Sequence, residues 1–327
     1  MLKDSYNRVH DYLRISITGK CNFRCTYCMP YDLPHGFFAS SQKMTAEEID
    51  EIVNVFVQLG VKKIRLTGGE PLLRKDAKEI IYRLSKYPVE LAITTNGVLI
   101  GEYEDVFDKA VIQSVNVSLD TLKREKFFLI TKRDSFHLVL KNIYRLLDDG
   151  FQVKINVVVM KGVNENELSD FVRWTKNFPL HVRFIEFMPF TGNRWSREKV
   201  YSSHEILEDI GTEFSCIRLA DEKHSTAKTY KVLGHTGTFG VINTLSSPFC
   251  GDCNRMRLTA DGKLRNCLFS KSETDLLTAL RKGEDIVPLI MQCVKAKNAE
   301  RGGQFILEYK DMDAARIENR SMVAIGG

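Results

Sequence analysis

The stretch YLRISITGKCNFRCTYC, residues 12–28, contains the features that decide the fold of this chain. Its first seven residues alternate polar and apolar side chains, which is the pattern of a β-strand. Cys21, Cys25 and Cys28 then follow at the spacing C-x3-C-x2-C. A structural zinc site or a closed iron–sulfur cube takes four protein ligands, whereas a catalytic metal site keeps one position open. The three thiolates therefore predict an open metal centre directly after a strand.

Five further strand-like runs follow, and helical patterns separate them. The clearest helical pattern covers residues 45–59, where Thr45 and Glu48 have the spacing of a capping box and Gly60 supplies a stop. Repeated βα units form parallel strands with right-handed crossovers. Six units are fewer than the eight that close a TIM barrel, so we expect an open, partial barrel. The five runs are KIRLT (63–67), ELAIT (90–94), SVNVS (114–118), VKINVVV (153–159) and HVRFIEF (181–187).

The βα rhythm breaks after about residue 192. A helical pattern near 202–210, short strand-like pieces and two more helical patterns follow. We therefore predict an α/β fold in two parts. Residues 1–195 form a six-unit partial barrel of parallel strands, and residues 196–327 form a C-terminal α+β extension that closes its open side.

The composition is that of a mildly basic globular chain. Of the 327 residues, 43% are hydrophobic and 27% are charged, and a net charge of +5 with a pI of about 8.6 suits an anionic ligand. A nucleic-acid-binding domain has a pI above ~9, so we expect no nucleic-acid partner. Neither a secretory signal nor an apolar run of ~20 residues is visible, which predicts a cytoplasmic protein without membrane contact. Eight cysteines in that compartment indicate metal ligands or reactive thiols.

The predicted strands carry polar side chains on one face, although parallel strands are normally apolar on both. Arg14, Arg65 and Lys154 each oppose the apolar residues of their strand, and Thr94 and Ser118 share the polar side. Because the apolar faces must meet the helices, the polar faces should line the inside of the barrel. Unpaired cations are costly to bury. We therefore expect a wet lumen that binds an anion, and a phosphate-bearing substrate fits it.

Pairing with carboxylates is the alternative for these cations, and for one cation alone it would be the better interpretation. Three cations on separate strands favour the anion site. Arg183 fits the pattern less well, because its face continues with Ile185 and Phe187. The carboxylates considered as partners are Glu70, Asp120 and Glu186.

A second group of three cysteines occurs in FCGDCNRMRLTADGKLRNC. Cys250, Cys253 and Cys267 have the spacing C-x2-C-x13-C. A zinc ribbon completed by Cys216, Cys293 or a histidine is one interpretation, but ribbon ligands commonly come as two pairs and no second pair lies in this part of the chain. Both other cysteines are expected to be packed. We rank a second open iron–sulfur cluster above zinc.

Two arginines follow the C-x2-C pair of this second group. Arg255 and Arg257 lie on one face of a strand that is predicted to begin there. Arginine makes bidentate hydrogen bonds to phosphate or to a carbonyl edge. The alternative is a weak pairing with surface carboxylates.

The first cysteine group and TGGEP (67–71), which follows the second strand, together resemble the radical S-adenosylmethionine enzymes. The glycines of TGGEP let the backbone approach a ligand closely. The resemblance implies a [4Fe–4S] cluster on Cys21, Cys25 and Cys28, whose open iron is chelated by the amino and carboxylate groups of S-adenosylmethionine. Reduction then yields a 5′-deoxyadenosyl radical and needs a low-potential electron donor. The residues implied to contact the cofactor are Tyr27, Gly68, Gly69, Glu70, Ser118 and Met188.

A closer resemblance, to the GTP 3′,8-cyclase family, spans residues 12–327. It rests on LRISITGKCNFRCTYCMP, RLTGGEPLLR, TTNG, NVSLDTL, KINVVVM, RFIEFMP, FCGDCNRMRLTADGKLRNCLF and the terminal IGG. It implies a lyase of molybdenum cofactor biosynthesis that converts GTP to (8S)-3′,8-cyclo-7,8-dihydroguanosine 5′-triphosphate. The radical would take the ribose 3′ hydrogen, and the carbon radical would attack guanine C8.

The same resemblance implies roles for the C-terminal part. The second cysteine group would hold another [4Fe–4S] cluster, whose open iron contacts guanine, and Arg255 and Arg257 would be catalytic. Gly326 and Gly327 lack side chains and can thread a narrow space, so this tail would reach the active site and help to place an arginine. The alternative is a frayed terminus. The residues implied to bind GTP are Arg14, Arg65, Thr94, Lys154, Arg183, Arg255, Met256 and Arg257.

The resemblance also implies a downstream partner, cyclic pyranopterin monophosphate synthase, and a homodimer is one option for the oligomeric state. Two other functions stay open. A radical enzyme acting on a peptide would use the C-terminal cluster as an electron relay, but such enzymes usually carry more C-terminal cysteines. A non-catalytic iron–sulfur or zinc-binding protein is disfavoured by the open three-cysteine sites and the cationic lumen.

Overall fold

Six parallel strands form the centre of the sheet, as the sequence predicts. The structure is a computed structural model that describes residues 1–28, 43–304, 311 and 317–326. Each strand pairs in parallel with the next one along the chain. The strands are β1 (Tyr12–Ser16), β2 (Lys63–Thr67), β3 (Glu90–Thr95), β4 (Ser114–Ser118), β5 (Gln152–Val159) and β6 (His181–Glu186).

Helices connect these strands, and their apolar faces pack in the core. They are α1 (Ala46–Gln58), α2 (Ala77–Leu84), α3 (Glu104–Lys109), α4 (Arg124–Thr131), α5 (Phe136–Asp148), α6 (Leu168–Trp174) and α7 (Ser203–Glu213). The predicted capping box is present at α1: Glu48 N donates to Thr45 Oγ1 at 3.2 Å, and Thr45 N donates to the Glu48 carboxylate at 2.7 Å. None of the helices in the described ranges is long and apolar enough to cross a membrane.

Alternation along the strands separates the apolar core from a polar lumen. Leu13 of β1 is fully buried in one core cluster with Ile64 and Leu66 of β2 and the inner face of α1. The register places Arg14 opposite Arg65 on the other side of the sheet. The predicted polar face is therefore continuous from strand to strand.

The C-terminal part of the chain adds strands at both edges of the partial barrel, which the sequence does not predict. Its elements are β7 (Cys216–Arg218), β8 (Lys228–Val232), β9 (Thr238–Ile242), β10 (Arg255–Leu258), β11 (Lys263–Arg265), β12 (Thr274–Asp275), α8 (Leu276–Arg281), α9 (Val287–Lys295) and α10 (Met322–Ile325). β9 pairs in parallel with β6, and β10 pairs in parallel with β1. The strand order is β12-β11-β10-β1-β2-β3-β4-β5-β6-β9-β8-β7.

This arrangement confirms an open partial β/α barrel with a C-terminal α+β extension. The extension flanks the six strands on both sides, because β9 and β10 continue the parallel sheet and antiparallel strands follow outside them. The division of the chain at residues 195 and 196 stays a prediction.

The capping box gives a test of local stability. Thr45→Ala removes the hydroxyl that accepts from Glu48 N, and we expect the free energy of unfolding to fall by about 1 kcal/mol. Urea unfolding followed by circular dichroism measures the change. Thr212→Ala in the last turn of α7 is the control, because that exposed hydroxyl only bonds the carbonyl of Asp209 within the same helix. Equal effects of both substitutions would contradict the role of the cap.

Candidate active site

The first cysteine group lies in the loop after β1, at the carboxyl ends of the strands. Arg24 N donates to Thr131 O at 2.9 Å, which joins this loop to the end of α4. Cys21, Cys25 and Cys28 all line one cavity, which we call the mouth chamber. Its other lining residues include Thr67, Gly68, Gly69, Ser118, Asn156 and Met188.

The surroundings of these three thiols disfavour free thiolates. Burial raises the pKa of Cys21 to about 11, and the nearby Glu70 adds to the effect. Burial also raises the pKa of Cys25 and of Cys28, and both Asp120 and the neighbouring cysteines reinforce it. The thiolate is the form that binds metal, so the positive charge of a metal centre would have to offset this burial. The group therefore fits a metal cluster better than a free nucleophile.

The two glycines of TGGEP allow the loop after β2 to pack against the loop after β1. A Cβ atom on Gly69 would lie 2.3 Å from Lys20 O, and one on Gly68 would lie 2.6 Å from Thr18 O. Gly69 N also donates to Thr18 O at 2.7 Å. The sequence predicted that these glycines approach a ligand closely. In the structure they approach the loop after β1, and both glycines also line the mouth chamber.

Glu70 is fully buried and braces two loops. Its carboxylate accepts hydrogen bonds from Leu72 N (3.0 Å), Thr95 Oγ1 (2.8 Å) and Asn96 N (2.7 Å). Burial raises the pKa of Glu70 to about 7. Among the described residues it is not part of the chamber lining, so a contact between Glu70 and S-adenosylmethionine stays a prediction.

Three buried polar atoms of the mouth chamber have no hydrogen-bond partner among the described residues. Thr67 Oγ1, Thr94 Oγ1 and Asn156 Oδ1 make no hydrogen bond within the part of the chain that the structure describes. Buried polar atoms are normally hydrogen-bonded, so these atoms fit a polar ligand. Tyr27 and Met188, which were predicted to contact S-adenosylmethionine, line the same chamber as Ser118 does.

A second cavity, which we call the lumen chamber, lies toward the amino ends of the same strands. Its volume is about 710 Å³, which is within the usual range for a small-molecule site. Eight lysines and arginines line it, whereas the carboxylates that line it are Asp11, Glu90 and Glu222. The cations are Arg14, Lys62, Lys63, Arg65, Lys154, Arg183, Lys223 and Arg255.

Each cation of the lumen chamber disfavours the charged form of its neighbours. Burial is the largest cause that lowers the pKa of Arg14, Lys154 and Arg183, and neighbouring cations add to it, so these values fall to about 10, 8 and 9. The pKa of Tyr12 falls to about 7: burial alone would raise it, but the charges of Arg65 and Arg14 outweigh burial. A bound anion would relieve this repulsion.

The carboxylates considered as partners of these cations bind elsewhere. The Asp120 side chain accepts from Val158 N at 2.9 Å, and the Glu186 side chain accepts from Ser203 N at 3.0 Å. Glu70 braces its two loops. These three side chains therefore do not neutralise the lumen cations, and the interpretation as an anion site is the better one.

The two chambers lie one after the other along the same strands, so that successive residues on one face of a strand line different chambers. Arg65 lines the lumen chamber and Thr67 the mouth chamber, and on β6 Arg183 and Ile185 divide in the same way. Residues two apart on one strand lie about 7 Å from each other on one face. Arg183 therefore lines the lumen chamber, although its face of β6 continues with an apolar residue. That residue, Ile185, lines the mouth chamber instead. Thr94, which was predicted to bind GTP, lines the mouth chamber.

The second cysteine group lies around β10 and β11. Burial raises the pKa of Cys250, and the proximity of Cys267 and Cys253 contributes. Burial would also raise the pKa of Cys253, but the charges of Lys297 and Arg255 outweigh it and the pKa falls to about 6. The Cys253 thiolate is therefore favoured, as a metal ligand requires.

The two cysteines weighed as fourth ligands lie in other surroundings. Cys293 is buried in the core with its Sγ 3.8 Å from Leu264 O, which confirms its predicted packing. Cys216 lies on β7, at the far edge of the sheet. Across the described ranges no three His, Cys, Asp or Glu side chains converge on a single-ion site. A four-iron cube does not require such convergence, because each thiolate binds a different iron.

The arginines of β10 lie on one face, as predicted. Arg255 lines the lumen chamber, and its guanidinium lies 4.7 Å from the ring centre of Phe249. Met256 points to the opposite side and is buried in the core, so only its backbone is left to contact a ligand. Burial and Arg14 lower the pKa of Arg257.

The C-terminal tail reaches the polar face of β1 and β2 at the mouth chamber, which Met322 of the tail also lines. Arg257 Nη1 donates to Gly326 O at 2.5 Å. A Cβ atom on Gly326 would lie 2.4 Å from Thr67 Oγ1, and its φ of +79° also favours glycine. Gly327 lies outside the described residues. Arg320 holds the tail segment through Asp261 at 2.9 Å.

Several residues of the site were not singled out from the sequence. Lys63 lines the lumen chamber, and its position two residues before Arg65 on one strand was a usable signal. His181 also lines this chamber, and burial lowers its pKa to about 3. Lys297 and Arg8 contact the second cysteine group, and no local pattern indicates either of them.

Two family profiles match the chain. The profile described as "Radical SAM superfamily" matches residues 15–175, and "Molybdenum Cofactor Synthesis C" matches residues 180–303. Members of the radical SAM superfamily use S-adenosylmethionine and an iron–sulfur cluster, so both are cofactors of this chain.

Similar proteins and structures agree with these profiles. The chain is 43% identical over 335 residues to molybdenum cofactor biosynthesis protein 1 of Mus musculus. The aligned region covers 99% of this chain and 51% of the mouse protein. It thus spans about half the length of this relative and of the bovine and human ones. The crystal structure of Streptococcus suis SuiB has the same fold, with a TM-score of 0.64 at 15% identity over 97% of this chain and 74% of that one.

A relative of similar length identifies the family. The GTP 3′,8-cyclase of Peptoclostridium acidaminophilum is 41% identical over 333 residues, which cover 100% of this chain and 98% of that protein. Identity at this level over both whole lengths, together with the two profiles, shows that the chain belongs to the GTP 3′,8-cyclase family of the radical SAM superfamily.

Proposed function

We propose that this chain converts GTP to (8S)-3′,8-cyclo-7,8-dihydroguanosine 5′-triphosphate, the first step of molybdenum cofactor biosynthesis. One observation carries the proposal: the cation-lined lumen chamber and the three-cysteine mouth chamber share the same strands. A triphosphate in the lumen chamber would therefore hold its ribose close to the mouth chamber. The relative from Peptoclostridium acidaminophilum is a GTP 3′,8-cyclase, which supports GTP as the substrate.

The mouth chamber would hold the radical-generating cofactors. Cys21, Cys25 and Cys28 would bind the first [4Fe–4S] cluster beside S-adenosylmethionine. When bound and reduced, this pair would supply a 5′-deoxyadenosyl radical that would take the ribose 3′ hydrogen. The carbon radical would attack guanine C8, and one further electron from the donor with a proton would complete the product. The chain itself would orient the cofactor and exclude water, through Tyr27, Gly68, Gly69, Glu70, Ser118 and Met188.

The lumen chamber would bind GTP by its charge. Desolvation and neighbouring cations lower the pKa of Arg14, Lys154 and Arg183, and a triphosphate would stabilise their charged forms. Thr94 would contact the nucleotide from the mouth side, and Met256 through its backbone. The cationic residues proposed for this role are Arg14, Arg65, Lys154, Arg183, Arg255 and Arg257.

The second cysteine group would hold a further [4Fe–4S] cluster next to the guanine. Cys250, Cys253 and Cys267 supply three ligands, which leaves one iron for the substrate. Arg255 is near enough to Cys253 for its charge to lower the pKa of that thiol, and it also lines the lumen chamber. This links the second group to the substrate cavity.

The proposal includes partners. A low-potential electron donor would reduce the first cluster, and cyclic pyranopterin monophosphate synthase would take the product. A homodimer stays one option for its assembly.

Formation of 5′-deoxyadenosine tests the proposed function. The enzyme is reconstituted without oxygen, reduced, and supplied with S-adenosylmethionine together with GTP, ATP or no nucleotide. We expect formation that depends on GTP, because the nucleotide must place its 3′ hydrogen at the mouth chamber. Formation that is slow and indifferent to nucleotides would refute GTP as the substrate and favour a peptide substrate.

Cysteine variants separate the two groups in the same assay. Cys28→Ala should abolish cleavage of S-adenosylmethionine, whereas Cys253→Ala should leave some uncoupled cleavage without cyclised product. Cys216→Ala is the control, because it lies on the edge strand β7, and it should behave as the parent does. Product from Cys253→Ala would contradict the role of the second group.

The pH dependence of GTP binding tests the lumen cations. The pKa of Lys154 is lowered to about 8 by burial and neighbouring cations, so the side chain is charged below that pH and loses its proton above it. Affinity should fall by about tenfold from pH 7 to pH 9 if only the charged form binds. Lys154→Gln should bind weakly and keep only the shallower fall that deprotonation of Tyr12 near pH 7 causes, and Lys109→Gln, on the exposed side of α3, should follow the parent. A steep profile retained in Lys154→Gln would assign the titration to another group.

The glycine tail offers a further test. Deletion of Gly326 and Gly327 removes the carbonyl that accepts from Arg257, so product formation should be lost while the iron content stays unchanged. Gly326→Ala should have the same effect, because its Cβ would meet Thr67. The control is Gly283→Ala, at a similar φ of +73° with open space around it. Normal turnover of the truncated enzyme would exclude a role for the tail.

A further inference from the structure

The segment 297–303, which follows α9, contacts the loops of all three cysteines of the second group. Lys297 Nζ lies 3.3 Å from the Sγ of Cys253. Arg301 N donates toward the Sγ of Cys250 at 3.4 Å. One short segment therefore supplies an N–H donor to each of two candidate cluster ligands.

The third cysteine loop packs against the same segment. A Cβ atom on Gly302 would lie 2.3 Å from Phe269 O, two residues after Cys267, and the φ of Gly302 is +66°. Only glycine allows this approach without a shift of the backbone. The segment 297–303 is therefore built to fit the whole second cysteine group.

Lys297 is the charged member of this contact. Its side chain is buried, with 4% of the residue exposed, and its Nζ also donates to Arg255 O at 3.0 Å. A buried ammonium group is costly unless a negative charge lies next to it. Its Nζ touches the Sγ of Cys253, which as a cluster ligand would carry the compensating negative charge.

We propose that Lys297 is a positioning residue of the second cluster, which compensates the Cys253 thiolate charge and raises the reduction potential of the cluster. This inference rests on the proposed second cluster. Cluster potentials depend on net charge and on hydrogen bonds to the sulfurs. A positive charge next to a ligand sulfur stabilises the more negative, reduced state, so its removal moves the potential to more negative values.

Arg8 anchors this arrangement from outside the barrel. Its guanidinium donates to Cys250 O (2.8 Å), Ala299 O (2.6 Å) and Asn298 O (2.8 Å). Asp4 accepts from Arg8 Nε at 2.6 Å and thereby orients the guanidinium. One side chain of the N-terminal segment thus ties the turn of Cys250 to the segment 297–303.

Redox titration tests the role of Lys297. The full chain with Cys21, Cys25 and Cys28 all replaced by alanine is the parent, so that only the second cluster is observed by electron paramagnetic resonance. In this parent, Lys297→Met should hold the same iron per chain at a more negative midpoint potential. Lys297→Arg keeps the charge and should keep the potential. Lys295→Met, an exposed charge two residues away on α9, is the matched control and should also leave it unchanged.

The outcomes are distinct. An unchanged potential in a fully loaded Lys297→Met variant would overturn the inference. Iron lost from Lys297→Met and restored in Lys297→Arg would support it, whereas iron lost from both would overturn it. A parent without iron or sulfide would refute the second cluster itself, and with it this inference.

Chelation kinetics test Arg8 in the same parent. Arg8→Gln should lose iron to a chelator on the order of tenfold faster, as expected when an outer-shell partner of a metal ligand is removed. Lys3→Gln, an exposed neighbour in the same N-terminal segment, should lose iron as slowly as the parent. Equal rates for all three proteins would show that Arg8 does not hold the second cysteine group.

Discussion

Repulsion among the clustered cations of the lumen chamber is the constraint on which the rest of the site depends. Arg14, Lys154 and Arg183 are half-buried close to other cations, and desolvation and these neighbours together lower the pKa of each. Like charges held close together repel one another. A bound polyanion would relieve this repulsion, so the chamber favours an anionic ligand. The strands hold the cations in place, because the opposite face of each strand packs in the apolar core.

The C-terminal extension completes the site because it pairs with both edges of the barrel. The parallel pairing of β10 with β1 aligns Arg257 with Arg14, and it places the second cysteine group beside the lumen. The tail then returns to the same place and meets Arg257 at Gly326. Strand β10 and the C-terminal tail, which are distant from β1 and β2 in sequence, thus meet on the polar face of these two strands.

Buried carboxylates hold the loops of the site in position. Because they bind backbone N–H groups, they do not pair with the cations of the lumen chamber. Glu70 braces the loops after β2 and β3, and Glu186 accepts backbone N–H groups of residues Ser203 and Leu245. A carboxylate that is saturated with N–H donors is a strong local brace. If these acids paired with the cations instead, they would offset part of the positive charge of the lumen chamber.

The sequence by itself determined the order of the six βα units, the capped helix α1, the loop that carries Cys21, Cys25 and Cys28, and the polar face of the strands. These features depend on periodicity and on spacing within a few residues, which a linear pattern records. Only the tertiary structure decided that β9 and β10 extend the sheet at opposite edges, that Glu70 is a brace and that Lys297 reaches Cys253. Such contacts depend on which distant segments pack together, and the free energy of that packing is spread over many residues that no local pattern encodes.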